Sequence, residues 1–143
     1  MSNLRIVREA LAATLTEQTG LTVHGRLGSA PAPLPGGLLK LDKADYMGSF
    51  RGSSTKVEYS FHLWVIVGMG TEWAQDVLDE YISAEGQNSV RRALFQCADL
   101  GLGSSVQAIV DGVIDYGGQL ELVGVDHLAA QLQITVHTQE TKV

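Results

Sequence analysis

The stretch KVEYSFHLWVIVG, Lys56–Gly68, decides the fold of this chain. Alternate residues along it are apolar, which is the period of a β-strand with one buried face. The apolar positions are Val57, Tyr59, Phe61, Leu63, Val65 and Val67. We therefore predict a long strand that places these side chains in the core.

The opposite face of this strand changes character along its length. It begins polar, with Glu58, Ser60 and His62. It then turns apolar at Trp64 and Ile66. Because apolar side chains on both faces need cover on both sides, the C-terminal half of the strand requires a second partner. Another helix of the same chain or another copy of the chain would meet this requirement.

Two helices are predicted after the strand. Residues 71–82, TEWAQDVLDEYI, place apolar side chains at helical spacing and acids on the opposite face. Gly86 ends this helix, and another is predicted over Ser89–Leu100. A helix over Asn3–Gln18 opens the chain and is closed by Gly20.

The other strand-like segments complete a sheet. They are Leu21–Leu27, Leu38–Asp42, Val106–Tyr116, Gln119–Val125 and His127–Thr138. The pair Gly117–Gly118 predicts a turn. Together these elements predict an α+β fold, with a mainly antiparallel sheet of about five strands and helices packed on one face.

Two long loops interrupt the pattern. Residues 28–37 contain all three prolines, which disfavour helix before them. Residues 43–55 combine small residues with Tyr46, Phe50 and Arg51, residue types that are favoured at protein interfaces. This second loop either folds its aromatic rings back onto the sheet or presents them to a partner, and we favour the partner.

Length and composition indicate one domain over residues 1–143, with a frayed tail at 139–143. The chain is 45% hydrophobic and 18% charged, and it contains no apolar run long enough to span a membrane. Its N-terminus lacks the layout of a signal peptide, so we expect an intracellular origin. The single cysteine, Cys97, agrees with this and is expected to be a small core residue.

Acidic residues are concentrated on the helix over residues 71–82. Asp76, Asp79 and Glu80 lie there, and no Lys or Arg occurs in residues 71–86. Tight nucleic-acid binding requires clustered basic residues, so the net charge of −6 and this distribution argue against it. The acids form either a solvated face or a lining past which DNA slides without binding.

Nothing in the sequence predicts catalysis. Gly68 and Gly70 precede a helix, but no lysine of the Walker type follows them. The four histidines are dispersed and have no metal-ligand spacing. No serine lies in a nucleophile elbow. We therefore predict no enzyme activity, no metal and no cofactor.

The order of an aromatic strand, a Gly-rich break and AQDVLDEYISAEGQNSVRRALF resembles the tail terminator proteins of long-tailed bacteriophages, especially those that infect actinobacteria. The pattern Ser-x-x-Gly-x-x-Ser-Val-basic-x-Ala-Leu, at 83–94, is particularly similar. The opening SNLRIVREALAATLTEQTGLTVHG and the overall length are also similar.

The resemblance implies a structural virion protein without catalysis or cofactor. Tail terminators form a homohexameric ring on the head-proximal end of the tail tube, where they end tube polymerisation and join the tail to the neck. The implied partners are other copies of the chain, the tail tube protein and a neck or head-completion protein. DNA would pass through the ring without specific binding. The implied location is the virion tail, after assembly in the host cytoplasm.

The resemblance also gives the candidate surfaces their expected roles. The loop residues Tyr46, Phe50 and Arg51 would contact the tube or the adjacent subunit. Trp64 and Ile66 would lie between subunits. One acidic surface would line the channel: either the helix, with Asp76, Asp79 and Glu80 as the candidates, or residues 111–126. The alternatives are another neck component, such as a tail completion or head–tail joining protein, and a stand-alone binding module or small enzyme of the host.

Overall fold

The computed structural model describes residues 4–24, 36–47, 54–68, 72–103, 105–122 and 125–141. Within these ranges the chain forms three helices and five strands, and the predicted α+β fold is confirmed. The elements in chain order are α1 (Leu4–Thr19), β1 (Thr22–His24), β2 (Gly36–Met47), β3 (Ser54–Gly68), α2 (Glu72–Ile82), α3 (Val90–Gln96), β4 (Val106–Leu122) and β5 (Val125–Thr141).

The strands form one sheet in the order β1-β2-β3-β5-β4. Only β1 and β2 are parallel, and the other three pairings are antiparallel. β3 therefore lies at the centre, where Phe61 pairs with Leu41 of β2 on one side and with Ile134 of β5 on the other. β4 and β1 form the two ends of the sheet.

The inward face of β3 is buried as the alternation predicts. Its six apolar side chains are at most 5% exposed. They belong to one cluster with buried residues of all three helices, among them Leu11 of α1, Leu78 of α2 and Leu94 of α3. Each of these three leucines is 0% exposed. The helices therefore cover one face of the sheet, and we call the opposite face the outer face.

β1 approaches β2 closely because Gly37 has no side chain. A Cβ atom at Gly37 would lie 2.8 Å from Cγ2 of Val23, well inside van der Waals contact. Gly37 pairs with Val23 in the parallel ladder and with Val65 in the antiparallel one. A glycine at this position lets three strands meet at the end of the core.

The hairpin of β2 and β3 is longer than the sequence predicts. Residues 43–47 and 54–55, expected in a loop, belong to strands, while residues 48–53 lie outside the described ranges. The register shifts between Leu41 and Lys43, which is a β-bulge that lets pairing continue past Asp42. Of the predicted loop at 28–37, the last two residues begin β2 and the others are not described.

The predicted turn at Gly117–Gly118 is wrong, because β4 runs through it. The ladder with β5 shifts register at three places, each of which adds one residue to β4. Bulges accommodate the extra residues by bending the strand, so the glycines do not reverse the chain. The C-terminal end is also more ordered than predicted, because β5 extends to Thr141, which pairs with Ser54.

One helix is shorter than the sequence predicts. α3 spans Val90–Gln96, shorter than the predicted Ser89–Leu100, because Ser89 caps it and turns follow Gln96. No described helix is both long and apolar enough to cross a membrane.

Candidate functional site

The segment that carries the resemblance forms the connector between α2 and α3. Ser89 is the N-cap of α3, and its Oγ accepts the backbone N–H of Arg92 at 3.1 Å. The same hydroxyl donates to the carbonyl oxygen of Ser83. Ser83 in turn donates its own hydroxyl to the carbonyl oxygen of Asp79, at 2.6 Å. Gly86 between them has a φ of +124°, a conformation that a side chain would strain.

The rest of the same pattern lies in the core. Val90 and Leu94 are 0% exposed and Ala93 is 4% exposed. Arg91 extends back to donate to the carbonyl oxygen of Ala84, at 3.4 Å. The pattern therefore sets the geometry of a helix pair, and its residues are explained by folding without reference to a ligand.

The acids of α2 are exposed, but two of them have partners within the chain. Asp79 accepts a hydrogen bond from the phenol of Tyr116, which also receives one from Gln75 at 3.2 Å. Glu80 accepts from the amide of Asn88 at 3.3 Å. Asp79 thus attaches the edge strand β4 to α2, in addition to any role as a charged surface.

Two tyrosines near these acids hold their protons more tightly than usual. The hydrogen bond to Asp79 raises the pKa of Tyr116. Burial raises the pKa of Tyr81, and the charge of Glu80 adds to that shift. Both phenols are therefore neutral donors at physiological pH, and neither is a base or nucleophile.

The apolar end of the outer face is already partly covered. Ile66 is 5% exposed, and its neighbours in the ladders are Gly36 and Ala129. Cover for Ile66 is therefore present within the chain, and its side chain offers a partner little area. Trp64 is half-buried between Leu38 and Gln131, and it stays a candidate contact.

The centre of the outer face is a hydrogen-bonded polar layer. His62 lies with Nε2 3.6 Å from a carboxylate oxygen of Asp42 and with Nδ1 2.6 Å from the amide nitrogen of Gln131. Thr135 donates to Asp111 on the same face. Across the described residues, no cluster of three or more His, Cys, Asp or Glu could hold a metal ion.

The predicted contact residues do not form one patch. Tyr46 is 75% exposed and pairs with Val57, on the helix side of the sheet. Trp64 lies on the outer face, roughly 23 Å from Val57 at the ~3.3 Å rise per residue of a strand. Phe50 and Arg51 lie outside the described residues. Tyr46 and Trp64 therefore lie on two separate surfaces of the chain.

Exposed apolar side chains that the sequence analysis missed lie along β4, on both faces of the sheet. Four of its large side chains are 42–49% exposed: Ile109, Val113, Ile114 and Tyr116. Phe95 of α3 is 78% exposed beside the same strand. Alternation alone assigns half of these residues to the core. The signal that could have revealed them is the adjacent pair Val113–Ile114, which cannot both face inward.

A shallow groove separates α3 from the start of β4. It has a volume of about 230 Å³. Its lining residues are Arg91, Phe95, Ala98, Gln107, Ala108, Ile109 and Val110. An open groove of this kind, next to exposed apolar side chains, suits contact with another polypeptide better than enclosure of a small molecule.

No protein-family model and no curated protein matches this chain. The geometry alone defines a small α+β domain in which most of the exposed large apolar side chains of the described residues lie on β4 and at Phe95.

Proposed function

We propose that this chain is a tail terminator of a long-tailed bacteriophage, which forms a homohexameric ring on the head-proximal end of the tail tube. The ring would end tube polymerisation and join the tail to the neck. The observation that carries the proposal is the pattern at 83–94, whose resemblance to tail terminators covers the whole connector between α2 and α3.

Three features of the described chain support this proposal. Of the seven large apolar side chains that are exposed in the described part of the chain, five lie along β4 and at Phe95, where another polypeptide can cover them. Its described hollows are shallow, as expected for a protein that works through contacts. The exposed acids Asp76 and Glu80 would repel DNA, so a channel lined by them would let DNA pass without binding.

The direct test is to add the purified chain to polymerising tail tube protein and measure tube lengths by electron microscopy. A terminator stops growth, so tubes should become shorter as the chain is added, with extra density at one end only. Native mass spectrometry should show a species of about 92 kDa, alone or on the tube, since one chain is 15.3 kDa. Unchanged tube lengths together with no binding to tubes would overturn the proposal.

The same assay separates the alternatives. A neck component would bind the head connector and leave tube length unchanged. A host binding module or small enzyme would bind neither.

A further inference from the structure

Among the described residues, one edge of β4 has no backbone partner along most of its length. At its start, the N–H of Ala108 donates to the carbonyl oxygen of Ala98 at 2.7 Å, which closes the edge there. From Val110 onward, no backbone hydrogen bond joins this edge to another described residue. Unpaired N–H and C=O groups on a long strand are a template for another strand.

The composition of β4 does little to block such pairing. Natural edge strands are protected by lysine, proline or bulges, and β4 has bulges but no Lys, Arg or Pro between Val106 and Leu122. The charged residues of β4 are Asp111, Asp115 and Glu121, and the first two are exposed. The edge is therefore both apolar and acidic, and a complementary partner would be apolar and basic.

A second free edge lies at the opposite end of the sheet. β1 pairs only with Gly36–Leu38, so among the described residues the remainder of β2 has a strand on one side only. This remainder carries Lys40 and Lys43, both exposed, and ends near Tyr46, which is 75% exposed. Of its own two acids, Asp42 faces His62 at 3.6 Å and Asp45 lies 3.3 Å from Lys43, so Lys40 is the lysine for which no ion pair is found among the described residues.

The charges on the two edges occupy the same face of the sheet. Lys40 and Lys43 pair with outer-face residues of β3, and Asp115 pairs with Gln131 on the outer face of β5. Asp111 also lies on that face, where it accepts a hydrogen bond from Thr135. If the two edges met in a continuous sheet, these lysines and aspartates would lie on one face, and a register that sets Lys40 across from Asp115 would be favourable, since opposite charges across strands attract.

Pairing of β4 with another β4 is disfavoured by the same charges. It would bring Asp111 and Asp115 of both copies together on one face with no basic residue of β4 to balance them. Like charges on directly opposing strands are destabilising. The favoured partner of the β4 edge is thus the β2 edge of a second copy.

We propose that the free edge of β4 in one copy pairs with the free edge of β2 in the next, so that the sheets of neighbouring copies join head to tail. Each copy has one edge of each kind, and a contact between two different surfaces builds a ring when its rotation closes. This inference rests on the proposed function, for which it names the subunit contact.

The first test is Ile114→Lys, because a lysine on an exposed edge is a common device against strand pairing. Its matched control is Ile6→Lys on α1, since Ile6 is 37% exposed and Ile114 is 49% exposed. Native mass spectrometry and sedimentation should show association weakened at least about tenfold for Ile114→Lys and unchanged for the control. Equal melting temperatures would show that both variants fold. Unchanged association of Ile114→Lys, or wild-type protein that is monomeric up to roughly 1 mM, would overturn the proposal.

A second test identifies the edges that meet. In a Cys97→Ala background, Asp42→Cys and Ile114→Cys are made singly and together, and each protein is treated with a short bismaleimide. Both positions lie near the middle of the proposed contact, where Lys40 would lie across from Asp115. Head-to-tail contact predicts a ladder of three and more copies only when both cysteines are present. Dimers of Ile114→Cys alone would show β4 paired with β4. That result, or the absence of any cross-link in an assembled sample, would overturn the proposal.

The proposed terminator function and the proposed contact between the β4 and β2 edges can be disproved separately. If Ile114→Lys blocks self-association but the wild type does not bind tail tubes, the edge contact stands and the terminator function does not. If the wild type caps tubes and Ile114→Lys assembles normally, the function stands and the edge contact does not.

Discussion

The centre of the sheet and its β4 edge are built from similar strands with opposite results. β3 and β4 are both long and rich in β-branched and aromatic residues. Phe61 of β3 is 0% exposed, whereas Ile114 of β4 is 49% exposed. The difference lies in the neighbours, because β3 has a strand on each side and helices above it, while β4 has one strand and is only partly covered. An apolar pattern therefore predicts a strand, but its neighbours decide whether it is core or contact surface.

The largest effect that separates the two regions should come from their phenylalanines. Phe61→Ala removes a fully buried ring and should lower the free energy of unfolding by about 3–5 kcal/mol. Phe95→Ala, where the ring is 78% exposed, should stay within about 0.5 kcal/mol of the wild type. Denaturant titration measures both. A loss at Phe95 as large as at Phe61 would mean that the isolated chain already covers this surface.

Glycines offer the next comparison. Gly37→Ala forces a Cβ to within 2.8 Å of Val23 and should cost about 1–3 kcal/mol by overpacking. At Gly112 on β4, an added Cβ would meet nothing within 4 Å, so Gly112→Ala should be neutral or slightly stabilising. Thermal melts of the two variants provide the measurement. Equal destabilisation of both would contradict the contrast between a packed centre and an open edge.

Two serines, one buried and one exposed, should show a smaller difference in stability. Ser89→Ala removes the cap of α3 from a site that is 1% exposed, and it should cost about 0.5–2 kcal/mol. Ser105→Ala, at an exposed position just before β4, should have little effect on denaturation midpoints. If Ser89→Ala left stability unchanged but blocked assembly, the connector pattern would have to be read as a contact site.

The smallest effect is expected where the edge is attached to α2. Because the folded state raises the pKa of Tyr116, it holds that proton more tightly than the unfolded chain does. The stabilisation is therefore fully present below the ordinary pKa of 10.0 and is lost as pH rises through the raised value. Tyr116→Phe should cost below about 1 kcal/mol at neutral pH, since an exposed hydrogen bond contributes little. The difference between variant and wild type should shrink above pH 10, as followed by denaturation at several pH values. A difference that grew with pH would refute this assignment.

Much of the fold could be predicted because the apolar alternation of β3 matches the burial of its side chains. Every inward residue from Val57 to Val67 follows the alternation, and the pairing partners follow the same period. The turn at Gly117–Gly118 could not be predicted correctly, since glycine serves equally in a turn and in a bulge. The strand at 43–47 was not predicted, because a bulge between Leu41 and Lys43 interrupts its alternation.

The candidate surfaces were less predictable than the fold. The exposure of Tyr46 agrees with a contact role, but that role stays a prediction. The burial of Ile66 depends on how strands from distant parts of the chain meet, which alternation does not encode. The β4 edge was missed because nothing local in the sequence states which strand comes last in the sheet.

The strand order has a consequence for the route by which the chain folds. β2 and β3 form one hairpin and β4 and β5 form another, each from residues that are close in sequence. The two hairpins are joined by the pairing of β3 with β5, in which Phe61 pairs with Ile134. Helices α2 and α3 lie between the two hairpins in the chain. Closing so long a segment is entropically slow compared with forming either hairpin. During synthesis, the backbone groups on one side of β3 must therefore wait until β5 emerges before they can pair with it.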